Sequence, residues 1–208
     1  MGSSTIIDII SSAVVAGILF VMTARLNIQT VETATVYQSN LQLQRNMTAL
    51  VGIVEHDFRK IGYCADYTKI PEPNRSIRLA DSTSIRFWTD VDNDGNVDSI
   101  YYFLGPVTEL ESTPNPNDRR LYRVVNAAVP VGWDLGVTDF RFKYFNSEGD
   151  TLPLPVSDPR EVYSMEISIA IESGAPIKQS FTATADSSAD FQVFWRQLRL
   201  TARNLRNR

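Results

Sequence analysis

The stretch IIDIISSAVVAGILFVMTA, residues 6–24, decides how this chain folds. Asp8 is its only ionisable residue, and nearly all the others are apolar or small. As a helix, its nineteen residues span about 28 Å at about 1.5 Å per residue, which matches the hydrocarbon core of a bilayer. We therefore predict a retained membrane anchor. The alternative is a secretory signal peptide, which would carry a basic start and a small-residue cleavage signal that are not evident here.

The helix that begins in this stretch is predicted to continue far beyond it, because no proline occurs before Pro71. Large apolar residues then recur at spacings of three and four, so they share one stripe of the helix and are expected to pack against the rest of the chain. Gly62 supplies a natural stop. The stripe consists of Leu43, Met47, Leu50, Val54, Phe58 and Ile61. The polar residues that fall largely off it are Gln42, Gln44, Arg45, Glu55, Asp57, Arg59 and Lys60.

After Tyr63 the sequence pattern changes from the period of a helix to that of a strand. Short aromatic and β-branched runs at residues 84–89, 97–104 and 121–125 are separated by clusters of Pro, Asn, Asp and Gly. Residues 163–171 alternate between apolar and polar side chains and give the clearest half-buried strand. One face of such a sheet needs a cover, which the amphipathic part of the helix provides.

The predicted fold class is therefore α+β, with a long N-terminal helix packed on an antiparallel β-sheet. Residues 1–26 are the hydrophobic transmembrane or assembly segment of the helix, and residues 27–62 are its amphipathic half. Residues 63–208 form the antiparallel β-sheet head domain.

Composition argues against several functional classes. The 208 residues carry a net charge of −4, which disfavours nucleic-acid binding because that needs an excess of Lys and Arg. A single cysteine, Cys64, rules out an internal disulfide scaffold and a thiolate-rich zinc site, and a single histidine, His56, rules out chemistry that needs two imidazoles. No glycine-rich phosphate loop, nucleophile elbow or HExxH pattern occurs either. We therefore expect neither enzymatic activity nor a nucleic-acid partner.

An acidic cluster between two predicted strands is a candidate metal site. Asp90, Asp92 and Asp94 alternate ahead of Gly95, like the first half of an EF-hand loop, whose oxygen ligands at positions 1, 3 and 5 converge on Ca²⁺. The second half is missing, because Tyr101 stands where an EF-hand has its bidentate Glu. The functional interpretation is a short calcium-binding hairpin loop, and the alternative is a solvated turn. The candidate ligands are Asp90, Asp92, Asp94, Asn96 and Asp98.

The chain ends in a basic tail that no acidic residue opposes in the last thirteen positions. The tail either contacts anionic lipid headgroups or acidic neighbours in an assembly, or it lines an edge strand and protects it from aggregation. Its members are Arg196, Arg199, Arg203, Arg206 and Arg208.

Five stretches of the sequence, taken in order, resemble the type IV pilin superfamily, and more narrowly its minor pilins and the J-type minor pseudopilins. They are the helix end DFRKIGY at residues 57–63, the acidic hairpin at 90–98, LYR at 121–123, the strand and turn at 137–149, and RNL at 203–205. Together with the membrane-entering helix and the sheet that follows it, these stretches cover most of the chain.

The resemblance implies a pilin-like fold and a function as a structural subunit of a type IV filament or a type II secretion pseudopilus. The implied partners are other pilin or pseudopilin subunits. The chain would first span the inner membrane once, with its head outside the cytoplasm, and would then enter a periplasmic or cell-surface filament. An alternative of a different class is a membrane-anchored extracytoplasmic β-domain that binds calcium, a glycan or a protein partner.

The resemblance also gives Asp8 a role in assembly. In pilins an acidic side chain at the fifth mature position is implied to pair with the N-terminal amine of a neighbouring subunit, and counting Ser4 as the first residue makes Asp8 the fifth. A charged side chain at mid-depth in a membrane costs about 2.5 to 3.5 kcal/mol, so a partner charge is expected there. The alternative places Asp8 in the headgroup zone, or as an early helix residue favoured by the helix dipole. The chain departs from the family at its start, because no Lys or Arg precedes Asp8.

Overall fold

The computed structural model describes residues 2–126, 128–176, 191–201 and 203–205. Its first element, α1, is a single helix of 58 residues that covers Gly2–Arg59. The chain divides into two compact units, one of which contains residues 2–41 while the other contains the described residues from 42 onward. The described residues of the first unit are therefore helical, and all of the β-strands among the described residues lie in the second.

The second unit contains a sheet of seven strands in the order β1 to β7, in which each strand pairs antiparallel with the next one along the chain. The predicted α+β class, with a long N-terminal helix and an antiparallel sheet, is confirmed. The strands are β1 Ile77–Ala80, β2 Ser84–Thr89, β3 Asp98–Leu104, β4 Arg119–Val125, β5 Val131–Phe145, β6 Ser164–Glu172 and β7 Val193–Leu200. Short 3-10 helices cover Tyr67–Lys69, Pro73–Arg75, Val107–Leu110, Pro159–Glu161 and Arg203–Leu205.

The core lies between one face of this sheet and the last part of α1. All six residues of the predicted stripe are buried in it, and the most exposed of them, Met47, retains 6% of its accessible surface. At about 1.5 to 3 kcal/mol per large side chain, the burial of the six contributes about 9 to 18 kcal/mol, a range that is itself an upper bound because the unfolded chain is partly compact. Phe58 is at the centre, because its ring lies 5.2 Å from that of Phe87, 5.6 Å from that of Tyr102 and 5.8 Å from that of Phe142.

The helix ends at Arg59, and the chain then turns through Gly62, whose φ of +74° favours glycine. The N–H of Gly62 donates to the carbonyl of Trp88 at 2.9 Å, which ties the turn to the end of β2. A Cβ at this position would lie 3.2 Å from Oγ of Ser76, so there is little room for a side chain. Gly62 therefore sets how the chain passes from the helix into the head.

Asp57 corrects the sequence-based assignment of polar residues to the side of the helix away from the stripe. Its side chain is buried, with Oδ2 2.6 Å from the Tyr102 hydroxyl and 2.6 Å from Nε of Arg123. A carboxylate in the core is tolerated when it is paired and hydrogen-bonded, as this one is. The spacing of Asp57 along the helix could not predict that its side chain is buried, because its partners come from β3 and β4.

Candidate functional site: the exposed helix segment and the acidic loop

The first candidate site is the exposed apolar segment of α1, which comprises residues 6–31 in the first unit. The helix that contains it is long enough and apolar enough to cross a membrane, as judged by length and composition. Its large apolar side chains all retain more than half of their accessible surface, and Phe20 retains 76%. Exposed apolar surface of this extent marks a site of contact with a membrane or with other proteins. The residues concerned are Ile6, Ile7, Ile9, Ile10, Val14, Val15, Ile18, Leu19, Phe20, Val21, Met22, Leu26, Ile28 and Val31.

Three hydroxyl groups within this segment donate to carbonyls of the helix itself. Oγ of Ser12 donates to the carbonyl of Ile9 at 2.9 Å, and Oγ1 of Thr23 donates to that of Leu19 at 2.8 Å. Thr30 bonds in the same way to the carbonyl one turn earlier. A polar group in lipid must find a hydrogen-bond partner within the protein. These hydroxyls have such partners in their own helix, so they are compatible with an apolar environment.

Asp8 is the acidic residue of this segment. It is exposed on the helix, and it lies between the exposed side chains of Ile7 and Ile9. Its charge therefore meets whatever covers the apolar surface. If that cover is lipid or another apolar helix, a cationic partner is needed to offset the cost of removing the carboxylate from water.

The second candidate site is the acidic loop, residues 90–98, which connects β2 to β3. Asp90 follows the last residue of β2 and has no exposed surface. Its Oδ2 accepts the backbone N–H groups of Ala65 and Gly95, each at 3.0 Å, and lies 3.9 Å from Sγ of Cys64. Its Oδ1 is equally buried and has no hydrogen-bond partner within the described part of the chain.

The structure brings three of the five predicted ligands together. Asp90, Asp92 and Asp98 each present one carboxylate oxygen, and these three oxygens lie within 4.8 Å of one another. The side chain of Asp92 is exposed, whereas that of Asp98 is half-buried at the start of β3. Carboxylate oxygens in this number and arrangement are hard ligands suited to Ca²⁺.

The other two predicted ligands, Asp94 and Asn96, are turned toward each other. Oδ1 of Asp94 accepts the backbone N–H of Asn96 at 2.7 Å, and its Oδ2 accepts the side-chain amide of Asn96 at 2.6 Å. Nζ of Lys69 donates to Oδ1 of Asn96 at 2.6 Å. These contacts stabilise the turn, and Asp94 is not among the three converging carboxylates.

A lysine that the sequence interpretation did not connect with the loop supports it from the helix end. Nζ of Lys60 donates to the carbonyls of Asp90 and Val91, at 3.1 and 2.9 Å, and to Oδ1 of Asn93 at 3.1 Å. Nothing in the spacing of the acidic residues identified Lys60, because it lies 30 residues before Asp90 in the chain.

Electrostatics in the loop favour ionised carboxylates. Burial by itself raises the pKa of the Asp90 carboxyl, but the backbone N–H groups of Ala65, Gly95, Asn93 and Asp94 outweigh it and hold that pKa below its usual value. Hydrogen bonds from Asn96 lower the pKa of Asp94. Burial raises the pKa of the neighbouring Cys64 thiol, so Cys64 is a packed, protonated side chain. The loop thus presents negatively charged oxygens at neutral pH.

The basic tail lies partly outside the described residues. Arg196 and Arg199 are exposed on β7, which is the last strand in the sheet order. The guanidinium of Arg199 lies 4.5 Å from the centre of the Phe145 ring, a cation–π distance. The backbone of Arg203 belongs to a 3-10 helix, while its side chain, together with Arg206 and Arg208, is outside the described part of the structure.

No family model matches the chain, and neither a curated protein nor a solved structure matches it.

Proposed function

We propose that this chain is a structural subunit, pilin-like or pseudopilin-like, of a type IV filament or a type II secretion pseudopilus. The observation that carries the proposal is that α1 has two different surfaces along its length. None of the described residues covers the exposed apolar segment, whereas the stripe from Leu43 to Phe58 is buried in the core of the head unit. A helix built in this way supplies one end to an assembly and the other to a folded domain.

The apolar segment needs two different covers at two stages. Before assembly, lipid of the inner membrane covers it, and the head lies outside the cytoplasm. After extraction into a periplasmic or cell-surface filament, the same surface would be exposed to water at a large hydrophobic cost. Equivalent helices of neighbouring subunits remove that cost by packing into a shared apolar core. The partners are therefore other pilin-like or pseudopilin-like subunits, in agreement with the sequence resemblance.

Asp8 fits this assembly as the residue that sets the position of one subunit against the next. Inside an apolar core, its carboxylate pairs with the N-terminal amine of a neighbouring subunit, which supplies the positive charge that such a site needs. The pair forms only when the two helices have the correct axial offset. An apolar contact alone does not fix this offset, because it is not directional.

The test compares the parent chain with Asp8→Asn in cells, and measures the share of each that is recovered in filaments sheared from the surface. We expect Asp8→Asn to stay in the membrane fraction and to be depleted from sheared filaments on the order of tenfold, because the loss of one charge pair inside an apolar core costs several kcal/mol. The control is Glu32→Gln, which removes the same charge from the same helix beyond the apolar segment and should leave recovery near that of the parent. Equal recovery of parent and Asp8→Asn would contradict the role of Asp8.

A second candidate function is favoured by the membrane-span character of α1 together with the acidic loop. In it, the chain is a membrane-anchored module whose head binds calcium, a glycan or a protein partner, and it never leaves the bilayer. A photo-crosslinking residue at Phe20, which is 76% exposed, separates the two functions. A filament subunit gives adducts with the helices of other pilin-like subunits, whereas the anchored module gives adducts with lipid alone.

A further inference from the structure

An open cleft of about 610 Å³ lies on the head where β5 leaves β4. β5 pairs with β4 as far as Val137, and farther along the strand the N–H of Phe142 donates to the carbonyl of Ser82 at 2.8 Å. Residues 138–141 lie between these two attachments, and no strand among the described residues pairs with them on this edge. We call this space the β5 cleft. Its walls include Ser82, Arg119, Thr138, Asp139, Arg141 and Glu172.

The open edge of β5 suits an extended peptide. β6 pairs with residues 139–141 on the opposite edge only. A strand edge without a neighbour presents backbone N–H and C=O groups that a second extended chain can bind. At about 3.3 Å per residue, the open stretch 138–141 is about 13 Å long and a peptide of three residues is about 10 Å long. The cleft therefore has room for a short peptide along this edge, and its volume is in the range of about 300 to 1,000 Å³ that small-ligand sites have.

Two charged groups in the β5 cleft have no counter-charge among the described residues. Arg119, the first residue of β4, is half-buried and forms no ion pair within that part of the chain. Glu172, the last residue of β6, forms none there either. Oε2 of Glu172 accepts the side-chain amides of Asn115 at 2.9 Å and Asn117 at 3.3 Å. These amides orient the carboxylate, but they do not neutralise its charge.

The remaining two charges of the cleft neutralise each other, because Nε of Arg141 donates to Oδ1 of Asp139 at 2.8 Å. The four charged side chains therefore sum to zero, which disfavours a ligand with a large net charge. What remains is one positive group, Arg119, and one negative group, Glu172, that are not paired with each other. A partly buried charge without a partner has lost hydration that nothing replaces. A ligand with one charge of each sign would compensate both.

We propose that the β5 cleft binds a short peptide of two or three residues with free ends. The carboxylate of the peptide pairs with Arg119, its ammonium group pairs with Glu172, and its backbone pairs with residues 138–141 of β5. A neutral saccharide is disfavoured, because it offers no charge to either side chain and cannot pair as a strand. The proposal goes beyond the filament function and does not depend on it.

The experiment uses the full chain in detergent micelles, with trialanine as the probe in an NMR titration of the backbone amides. We expect saturable shifts at residues 138–141 and a dissociation constant of about 10⁻⁴ to 10⁻³ M, as suits a ligand of this size. N-acetyl-trialanine lacks the ammonium group, and trialanine amide lacks the carboxylate. Each should bind about fivefold more weakly or worse, because each loses one charge pair in a partly buried site.

Two variants identify which side chain binds which end. Arg119→Met should bind trialanine about fivefold more weakly, and should no longer distinguish trialanine from trialanine amide. Glu172→Gln should likewise no longer distinguish trialanine from N-acetyl-trialanine. A merely structural role of either residue would weaken all the peptides alike. Arg86→Met is the matched control, because Arg86 is exposed on β2 outside the cleft, and it should keep the affinity within about twofold of the parent.

Three results would overturn the proposal. The first is the absence of saturable shifts at residues 138–141 with about 10 mM trialanine. The second is equal binding of a peptide blocked at both ends, which would show that the two charges do not contribute. The third is maltotriose that shifts the same amides while trialanine does not, which would assign the cleft to a saccharide. The blocked peptides test the parent chain itself, so the outcome does not depend on whether a variant folds.

Discussion

Oδ2 of Asp57 on α1 lies 2.6 Å from Nε of Arg123 on β4, and this ion pair joins the helix to the sheet inside the core. The same oxygen accepts the Tyr102 hydroxyl at 2.6 Å. Burial raises the pKa of Tyr102, and the negative charge of Asp57 raises it further, so the hydroxyl stays protonated and remains a donor. The three side chains form one polar network in which the carboxylate accepts both bonds.

Breaking this ion pair is expected to destabilise the head strongly. Arg123→Met leaves the Asp57 carboxylate buried without its charge partner, which costs about 3 kcal/mol or more. Glu55→Gln, which removes an exposed pair with Arg59 on the same helix, should cost no more than about 0.5 kcal/mol. The measurement is urea unfolding of the full chain in detergent, followed by tryptophan fluorescence. Similar losses in both variants would mean that the buried pair does not hold the helix to the sheet.

The stripe on α1 gives a second prediction. Leu50→Asp places a charge at a position with no exposed surface, and we expect it to detach the helix from the sheet and make the head sensitive to protease. Ala49→Asp makes the same chemical change at the adjacent, exposed position and should leave the head resistant. Limited proteolysis of both variants checks this. Persistent resistance of Leu50→Asp would show that the stripe is not what anchors the helix.

Much of the fold could be predicted from the sequence because the signals are local. The spacing of three and four from Leu43 to Phe58 and the alternation along β6 follow directly from the geometry of a helix and a strand. The Asp57 network could not be predicted, because Tyr102 and Arg123 are 45 and 66 residues away in the chain. A charged residue next to the stripe is more often exposed, and only the position of β4 reveals that this one is paired.

Gly136 gives a third prediction. It lies in β5 with a φ of +74°, and a Cβ there would be 2.4 Å from the carbonyl oxygen of Glu172. Gly149 has a φ of +94° and open space around it, so Gly149→Ala should cost only backbone strain, about 1 to 2 kcal/mol. Gly136→Ala must also move the backbone of β6, which adds about 1 to 3 kcal/mol.

Thermal unfolding of the two glycine variants measures this difference. Each kcal/mol corresponds to about 2 to 4 °C in a chain of this size, so Gly136→Ala should melt several degrees below Gly149→Ala. Equal melting temperatures would indicate that β5 and β6 separate at this point without cost.

The sequence predicted a strand and turn only from residue 137, because the two glycines at 132 and 136 weaken the strand pattern there. The strand in fact begins at Val131.

Asp158 and Arg160 give a prediction for pH. Hydrogen bonds from the Arg160 side chain lower the pKa of the Asp158 carboxyl to about 2. Because the folded-state pKa lies below the ordinary value of about 4, the contribution of this pair to stability is present above about pH 4. It is lost as the pH falls toward about 2. The pair is exposed, so the effect on stability is small.

A carbon NMR titration of the Asp158 carboxyl checks this directly. In the parent chain, the midpoint should lie near pH 2, and in Arg160→Met it should return toward about 4. A midpoint that does not move on substitution would show that Arg160 is not the cause of the shift.

The arrangement of the acidic loop could be predicted from the sequence only in part. The alternation of Asp90, Asp92 and Asp94 before Gly95 predicted a loop here. The glycine fits this prediction, because the chain turns at Gly95 with a positive φ. Which carboxylates converge depends on how the turn closes. The carboxylate of Asp94 accepts a hydrogen bond from the side-chain amide of Asn96. The carboxylate of Asp98 lies near those of Asp90 and Asp92 because Asp98 is the first residue of β3. The pattern therefore predicted the loop, but not which of its carboxylates converge.

Cryo-electron microscopy of filaments sheared from cells that express the tagged chain is the most direct test of the assembly function. We expect density in which residues 6–24 of each copy lie in the apolar core of a helical assembly, with Asp8 next to the amine of a neighbouring subunit and the sheet facing outward. Filaments that lack the chain, with all of it retained in the membrane fraction, or filaments in which this segment is excluded from the core, would contradict the account.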